Sequence, residues 1–357
     1  MTTAITSNTP PTAHSGVEPP SSNPQLTALL QGAGIAPLDR IGWIRVTGTD
    51  RVRWLNGMAT NTVQDLAPGA GAYNFFLNAQ GRIQADGYIF ATPDALLIET
   101  SRSQTASLIP YLDHYIIMDD VELADVTESR HGITLIGPKA ASLLVKLGLA
   151  IDDLKHVESR SLPWQSITVT VIHAHSPLVP RFELWTDTPA DAAILLDALE
   201  AAGAEPCESQ AFEWLRLLEG TPLYGTDIRN SETVRDLPQE TNQARALHFS
   251  KGCYLGQEIV ERIRSRGNVH RTFTAFRLEG ALPTTGTPLE SAGKQVGELT
   301  SVASIPFVGT ALQLALGYVR REALDRGDQL QYLGGRALPT AIPYSFAKAA
   351  SDSPERV

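Results

Sequence analysis

An α+β fold is predicted: two similar antiparallel-sheet modules with covering helices, followed by a C-terminal β-barrel. Three observations predict it. The order strand, glycine turn, helix, hairpin strands, helix occurs twice before residue 206. A stretch of little periodicity and many polar residues then runs from about 220 to 250. After about residue 272, short strands alternate with Gly/Pro turns, as in a small barrel.

Residues 1–25 are rich in Thr, Ser and Pro, contain no Lys or Arg and lack an apolar run, so a disordered tail is expected rather than a signal or transit peptide. Leu26 to Gly34 reads as a short helix and Ile41 to Val46 as a strand. Thr49 or Asp50 can cap a helix carrying Val52, Trp54 and Leu55. Tyr73 to Leu77, the turn Asn78-Ala79-Gln80-Gly81 and Arg82 to Ala91 form a hairpin. Ala95 to Glu99 is a further strand, and Ser101 to Tyr115 has helical spacing that Pro110 should break.

A second unit is expected from Val121. Val121 to Val126 and Ile133 to Ile136 read as strands, and Gly137-Pro138 opens a helix through Leu149. Ile167 to His173 and Arg181 to Trp185 are strands, and Asp191 to Ala202 is a helix ended by Gly203. A weak likeness of Gly42–Leu55 to Gly132–Leu144 suggests a duplicated fold. Glu208 to Glu219 is a helix. The plan is a tail (1–25), a first module (26–120, completed by 206–271), a second module (121–205), a segment over 206–271, a barrel (272–346) and a tail (347–357).

The chain has 357 residues, 43% hydrophobic and 19% charged, which suits a globular protein of two or three domains. Its net charge of -10 argues against a general nucleic-acid or anionic-membrane binder, because the overall field repels phosphate. No apolar run reaches membrane-spanning length. Two cysteines fit a reducing cytoplasm and cannot supply the four thiolates of an ordinary iron–sulfur cluster. HExxH, paired CxxC and Walker motifs are absent, and no metal ligands are assigned. His173 and His175 should point to one side of a strand but lack a third ligand.

Cys253 is the first candidate for chemistry. It lies in Ser250-Lys251-Gly252-Cys253-Tyr254-Leu255-Gly256-Gln257-Glu258, ahead of a helical pattern. A nearby helix N-terminus and Lys251 are two reasons for a reactive thiolate, while a small buried apolar residue is the alternative. Gly252 and Gly256 would let backbone approach a ligand or partner. Lys251, Arg262, Arg264, Arg266, His270 and Arg271 form a local basic segment. From 251 to 271, five Lys/Arg face two acids, a balance of +3. It reads either as a solvated face with pairs such as Glu258–Arg262 or as a seat for carboxylate or phosphate. Asp86 lies on a return strand, where it is either half-buried and in need of a partner or open to water. Glu240 and Asp227 lie in the irregular segment, where both could be ordinary loop acids.

The block Lys251-Gly252-Cys253-Tyr254-Leu255-Gly256-Gln257-Glu258 matches the K-G-C-Y-x-G-Q-E signature of the YgfZ family, which resembles the folate-binding T-protein (aminomethyltransferase) of glycine cleavage. Gly81-Arg82-Ile83 with Asp86 looks like the family's G-R-x-x-x-D strand, with Ala85 where T-proteins tend to have a second Asp. Arg216 with Gly220, Tyr224-Gly225-Thr226-Asp227 and Pro238-Gln239-Glu240 resemble the T-protein R-L-E-A-G, Y-G-x-D and P-x-E elements.

The resemblance implies three domains around a central cleft, with tetrahydrofolate or a one-carbon derivative as cofactor. Glu240 would be the pterin-binding acid, accepting two hydrogen bonds from the pterin edge. Asp227, Arg216, Lys251 and Arg262 are carried over as further folate-binding residues, and Cys253 with Asp86 as the catalytic pair. The implied role is support of iron–sulfur enzyme assembly or repair, and thereby tRNA modification. Iron–sulfur proteins or assembly factors are the expected partners, RNA contact is confined to 251–271, no membrane is involved, and a cytoplasmic monomer is expected. Two alternatives remain: a tetrahydrofolate-dependent aminomethyl or one-carbon transferase, and a non-catalytic folate-sensing docking module.

Overall fold

The computed structural model describes residues 21–267 and 269–346. The expected tails fall mostly on 1–20 and 347–357, outside the described residues. Residues 21–25, placed in the tail above, are structured. Asn23 caps α1 (Pro24–Gln31) by accepting from Leu26 N, and Ser21 bridges to Phe307 on the barrel.

Two sheets form the body. In chain order come β1 (Gly34–Pro37), β2 (Ile41–Thr47), α2 (Arg51–Met58), β3 (Gly71–Leu77), β4 (Ile83–Ala91), β5 (Leu96–Ser101), α3 (Arg102–Asp113) and β6 (Glu122–Asp125). The second set is β7 (His131–Ile136), α4 (Ala140–Lys146), β8 (Ser159–Trp164), β9 (Ile167–Ala174), β10 (Arg181–Thr186), α5 (Pro189–Ala202) and β11 (Glu205–Pro206). The first sheet has the order β3-β4-β5-β2-β6, and the second β11-β1-β7-β10-β9-β8. Read from β2 and from β7, both halves run strand, helix, three strands, helix, strand.

The modules exchange strands. β1 pairs with β7 of the second sheet, and β6 pairs with β2 of the first. Val121–Val126, expected to open the second unit, therefore completes the first sheet. β11 runs parallel to β1, so the second sheet is mixed rather than purely antiparallel. Helix α3 continues through Pro110: the proline is exposed near the helix end, where the carbonyl it frees meets water. Helix α4 stops at Lys146, short of the expected Leu149.

The alternation of each strand sorts its residues into two layers. Ile44, Phe76, Ile89 and Ile98 pack under α2 and α3, while Leu135, Val171 and Leu184 pack under α4 and α5. The opposite faces meet between the sheets through Trp43, Phe90, Ile172 and Trp185, with Trp43 and Trp185 edge to face at 5.1 Å.

Helix α6 (Ser209–Glu219) ends at Gly220 in the left-handed conformation, φ 67°. With α1 it packs Leu26, Leu29, Leu215 and Leu218 against Phe273, Ile305 and Tyr318 of the barrel. The barrel closes in the order β12 (Arg271–Gly280), β15 (Ala311–Arg320), β14 (Lys294–Pro306), β13 (Pro288–Ser291), β16 (Leu330–Tyr332) and β17 (Gly335–Thr340). Among the described residues no helix is long and apolar enough to cross a membrane.

Candidate functional site

Cross-strand register places Tyr73, Tyr88, Glu99 and Trp43 side by side across β3, β4, β5 and β2. Asp86, two residues before Tyr88 on β4, shares that face. Its carboxylate accepts from the Tyr73 hydroxyl at 2.5 Å and from Gln104 Nε2 at 2.9 Å, and its own N–H donates to Gln104 Oε1 at 3.0 Å. Burial pushes the Asp86 carboxyl up from its ordinary range, and the Tyr73 and Gln104 bonds act against that push.

Arg245 reaches over this face. Its guanidinium stacks 4.1 Å from the Tyr73 ring and donates to the Tyr88 hydroxyl at 2.5 Å. Facing it from the second module are Arg181, ion-paired to Glu183 at 2.8 Å, and the rings of His156 and His175, whose protonation the Arg245 charge opposes. His175 Nδ1 and His156 Nε2 lie 3.1 Å apart, and burial takes His175 down to about 3. Glu219, at the end of α6, accepts from the Ser176 hydroxyl. Among the described residues no group of His, Cys, Asp and Glu is arranged to hold a metal ion.

The segment 220–250 is mostly irregular, with two single 3₁₀ turns, and it covers the β3–β4 end of this face through Tyr224, Ile228 and Ala246. The Tyr224 hydroxyl donates to the main-chain oxygen of Gln84. Glu240, in the 3₁₀ turn Pro238–Thr241, is buried. Its Oε2 accepts from Leu237 N at 3.2 Å and Arg271 at 3.0 Å, while Oε1 has no partner among the described residues.

Asp227 and Arg216 are brought together as an ion pair. Asp227 is fully buried, accepts from Arg216 at 2.7 Å and from Ser301 at 2.8 Å, and so fastens α6 to barrel strand β14. Both of its carboxylate oxygens are thus committed to the fold rather than turned to a ligand.

The Lys251 ammonium donates to the carbonyls of Asn56 at 2.7 Å, Ala59 at 2.7 Å and Asn61 at 2.6 Å, closing the C-terminal end of α2. Burial takes it down to about 7, and the three carbonyl acceptors oppose that push. Helix α7 (Gln257–Arg266) begins four residues after Cys253. Cys253 therefore lies ahead of the helix, as the sequence suggested, while the Lys251 ammonium is held by main-chain carbonyls. Cys253 is exposed, and Cys207 is the buried cysteine, its thiol pushed by burial up to about 11.

The glycines of the block serve its own chain. A Cβ at Gly256 (φ +81°) would stand 2.5 Å from Asn78 O, and one at Gly81 (φ +70°) 2.8 Å from Ile259. The β3–β4 turn and the start of α7 thus touch through backbone, whereas Gly252 has open space around it. Arg262 pairs with Glu258 at 2.5 Å, Arg264 lies 3.5 Å from Glu261 and 4.3 Å over Phe249, and Arg271 pairs with Asp236 and Glu240. These side chains do not converge on the common anion seat that the sequence allowed.

Sequence reasoning singled out Asp86 but missed its setting of Tyr73, Tyr88, Gln104 and Arg245. The even spacing of Asp86 and Tyr88 on one strand was the available signal. Nothing local marks Arg245.

Comparison with known proteins fits this architecture. The model of the GCVT N-terminal domain matches residues 20–251, and that of the CAF17 C-terminal beta-barrel domain matches residues 271–348. The chain therefore belongs to the GCVT-type proteins. With the CAF17-type barrel, it is a member of the YgfZ/CAF17 family.

At1g60990 of Arabidopsis thaliana, whose name assigns it to the chloroplast and provisionally to the transferases, is 28% identical, covering 85% of this chain and 69% of its own length. An aminomethyltransferase of Streptomyces avermitilis is 28% identical, covering 81% and 79%. The solved structure of glycine cleavage system aminomethyltransferase T from Bartonella henselae has the same fold, with a TM-score of 0.78 at 19% identity over 90% of this chain and 88% of that one.

Proposed function

We propose that this protein binds tetrahydrofolate, or a one-carbon derivative of it, and supports the assembly or repair of iron–sulfur enzymes, and through them tRNA modification, with Cys253 as its reactive thiol. The observation that carries the reading is the Asp86 face. A half-buried carboxylate, two tyrosine rings and a guanidinium line one wall between two sheets, in a fold that named aminomethyltransferases share. These residues fit a pterin. Asp86 and the free Oε1 of Glu240 would accept its N–H donors, and Tyr73 and Tyr88 would pack against its ring. Bound tetrahydrofolate would supply a one-carbon carrier. The chain's own part is to orient the ring through the Asp86 carboxylate, which Tyr73 and Gln104 hold in place, and to exclude water.

Cys253 stands exposed on a loop that Lys251 anchors to α2. An exposed thiol suits exchange with a partner protein, so the partners proposed are iron–sulfur proteins or their assembly factors in a reducing compartment such as the cytoplasm.

The test is iron–sulfur enzyme activity in cells that carry only Cys253→Ser or only Asp86→Asn. Loss in both supports the reading. Full activity with Cys253→Ser and loss with Asp86→Asn would reduce the protein to a folate-sensing docking module.

The names of the relatives favour a second reading, a one-carbon transferase of the T-protein type. Ala85 stands at the place of the second T-protein Asp, and it is buried on the helix side of the sheet. Asp86 alone offers a carboxylate from that pair of positions to the inter-sheet face. Tetrahydrofolate-dependent ammonia release would establish the transferase.

A further inference from the structure

One buried acid on the face that carries Asp86 has no partner. Glu99 is 7% exposed, and neither of its carboxyl oxygens makes a hydrogen bond or an ion pair among the described residues. Other buried acids of the chain are held: Asp227 and Asp236 by arginines, Glu183 by Arg181 and by the Trp185 indole. An unsatisfied buried carboxyl is costly and calls for a functional account. Its oxygens are not sealed in, whereas the indole nitrogen of neighbouring Trp43 is.

The sheet turns Glu99 towards Asp86. On β5 it is the register partner of Tyr88 on β4 and of Trp43 on β2. Register partners share a face, and Asp86 lies two residues before Tyr88 on that same face. Glu99 is thus the diagonal neighbour of Asp86, about 7–8 Å away, beside the Tyr88 ring. Trp43, edge to face with Trp185, closes the row beyond it. A planar ring laid against Tyr88 meets Asp86 at one end and Glu99 at the other.

The surroundings of Glu99 favour its neutral form. From the second module it faces Glu183 and Arg181 of β10, and Arg130 just ahead of β7. Burial, and then the Glu183 charge, push its carboxyl well above the ordinary range, and the two arginines act against that push. Arg181 is already paired with Glu183. A neutral carboxyl has an O–H to donate as well as an oxygen to accept with.

We infer that Glu99 is a further ligand-binding residue of this face, and that it pairs with a ring edge on which a carbonyl stands beside an N–H. The carboxyl O–H donates to the carbonyl and the other oxygen accepts the N–H, two bonds in one plane. An ionised carboxylate has no donor and suits an edge of two N–H groups instead. The inference rests on the folate reading above and adds to it the edge by which the pterin is held.

The test is calorimetric titration of the full-length wild type, Glu99→Gln and Glu99→Ala with tetrahydrofolate, between about pH 6 and 9. Glutamine offers one donor and one acceptor, as the neutral acid does, but does not titrate. It should bind within about threefold of the wild type at the acid end, and alanine about tenfold more weakly. Wild-type affinity should fall relative to that of Glu99→Gln as pH rises and the Glu99 proton is lost. Circular dichroism checks the fold, and the comparison of wild type with Glu99→Gln decides should Glu99→Ala unfold. Unchanged affinity in Glu99→Ala overturns the inference and leaves the folate reading standing. So does a Glu99→Gln protein that binds weakly at every pH, since the carboxyl would then act ionised. Failure of tetrahydrofolate to bind the wild type overturns both.

Discussion

Glu219 should make the protein less stable as pH rises towards neutrality, and Glu219→Gln should remove that loss. The residue is 8% exposed and accepts from Ser176. Burial pushes its carboxyl up to about 7 from an ordinary 4.5, against the Ser176 bond and the nearby positive charges of Arg181 and Arg245. The unfolded chain releases this proton near 4.5. Between 4.5 and 7 the folded state therefore binds more protons than the unfolded one, and stability falls with pH across that window. At 1.36 kcal/mol per pH unit, the full interval is worth about 3.4 kcal/mol as an upper bound.

Glutamine keeps an acceptor for Ser176 and carries no charge. Urea unfolding from pH 4 to 8.5 should show Glu219→Gln more stable than the wild type by about 1–3 kcal/mol at the alkaline end, with the difference gone near pH 4. A variant less stable than the wild type at pH 8.5, or a difference independent of pH, would refute the reasoning.

Three further outcomes follow from burial and exposure. A thiol reagent should label Cys253 quickly and Cys207 only after denaturation, because Cys207 is buried and its thiol is pushed up to about 11; rapid modification of two thiols in the native protein would contradict this. Asp227→Asn should cost about 1.5–3 kcal/mol, since the Arg216 guanidinium loses its buried partner and keeps only the more exposed Glu213. Arg262→Ala breaks an exposed pair and should cost under about 0.5 kcal/mol, so comparable losses in denaturant melts would show that the assignment of roles is mistaken.

The parts of the fold legible in the sequence were those with local patterns. Alternation marked β2, the β3–β4 hairpin and the long barrel strands, and Gly203 marked the end of α5. What escaped depends on contacts distant in sequence. Val121–Val126 reads as a strand, but no local feature says that it pairs with β2, nor that β1 crosses to the other sheet. β13 and β17 are short and lie among turn residues.

The site follows the same division. Asp86 stood out because an acid on an apolar strand needs a partner, yet Gln104 comes from a helix and Arg245 from an aperiodic segment. The K-G-C-Y block was visible as a motif, but its lysine and Gly256 turned out to serve packing within the chain. A basic segment in sequence proved to be a set of separate contacts, with Arg262, Arg264 and Arg271 in ion pairs and Lys251 on main-chain carbonyls.

The central claim is that the inter-sheet face around Asp86 is a folate site, and calorimetric titration of wild type and Asp86→Asn with tetrahydrofolate tests it most directly. Asparagine keeps the shape and an acceptor for Tyr73 but removes the charge. The account predicts saturable one-to-one binding to the wild type, weakened at least about tenfold in the variant, the scale of one lost charge-assisted hydrogen bond. No heat of binding in the wild type, or the same affinity in both proteins, would contradict it.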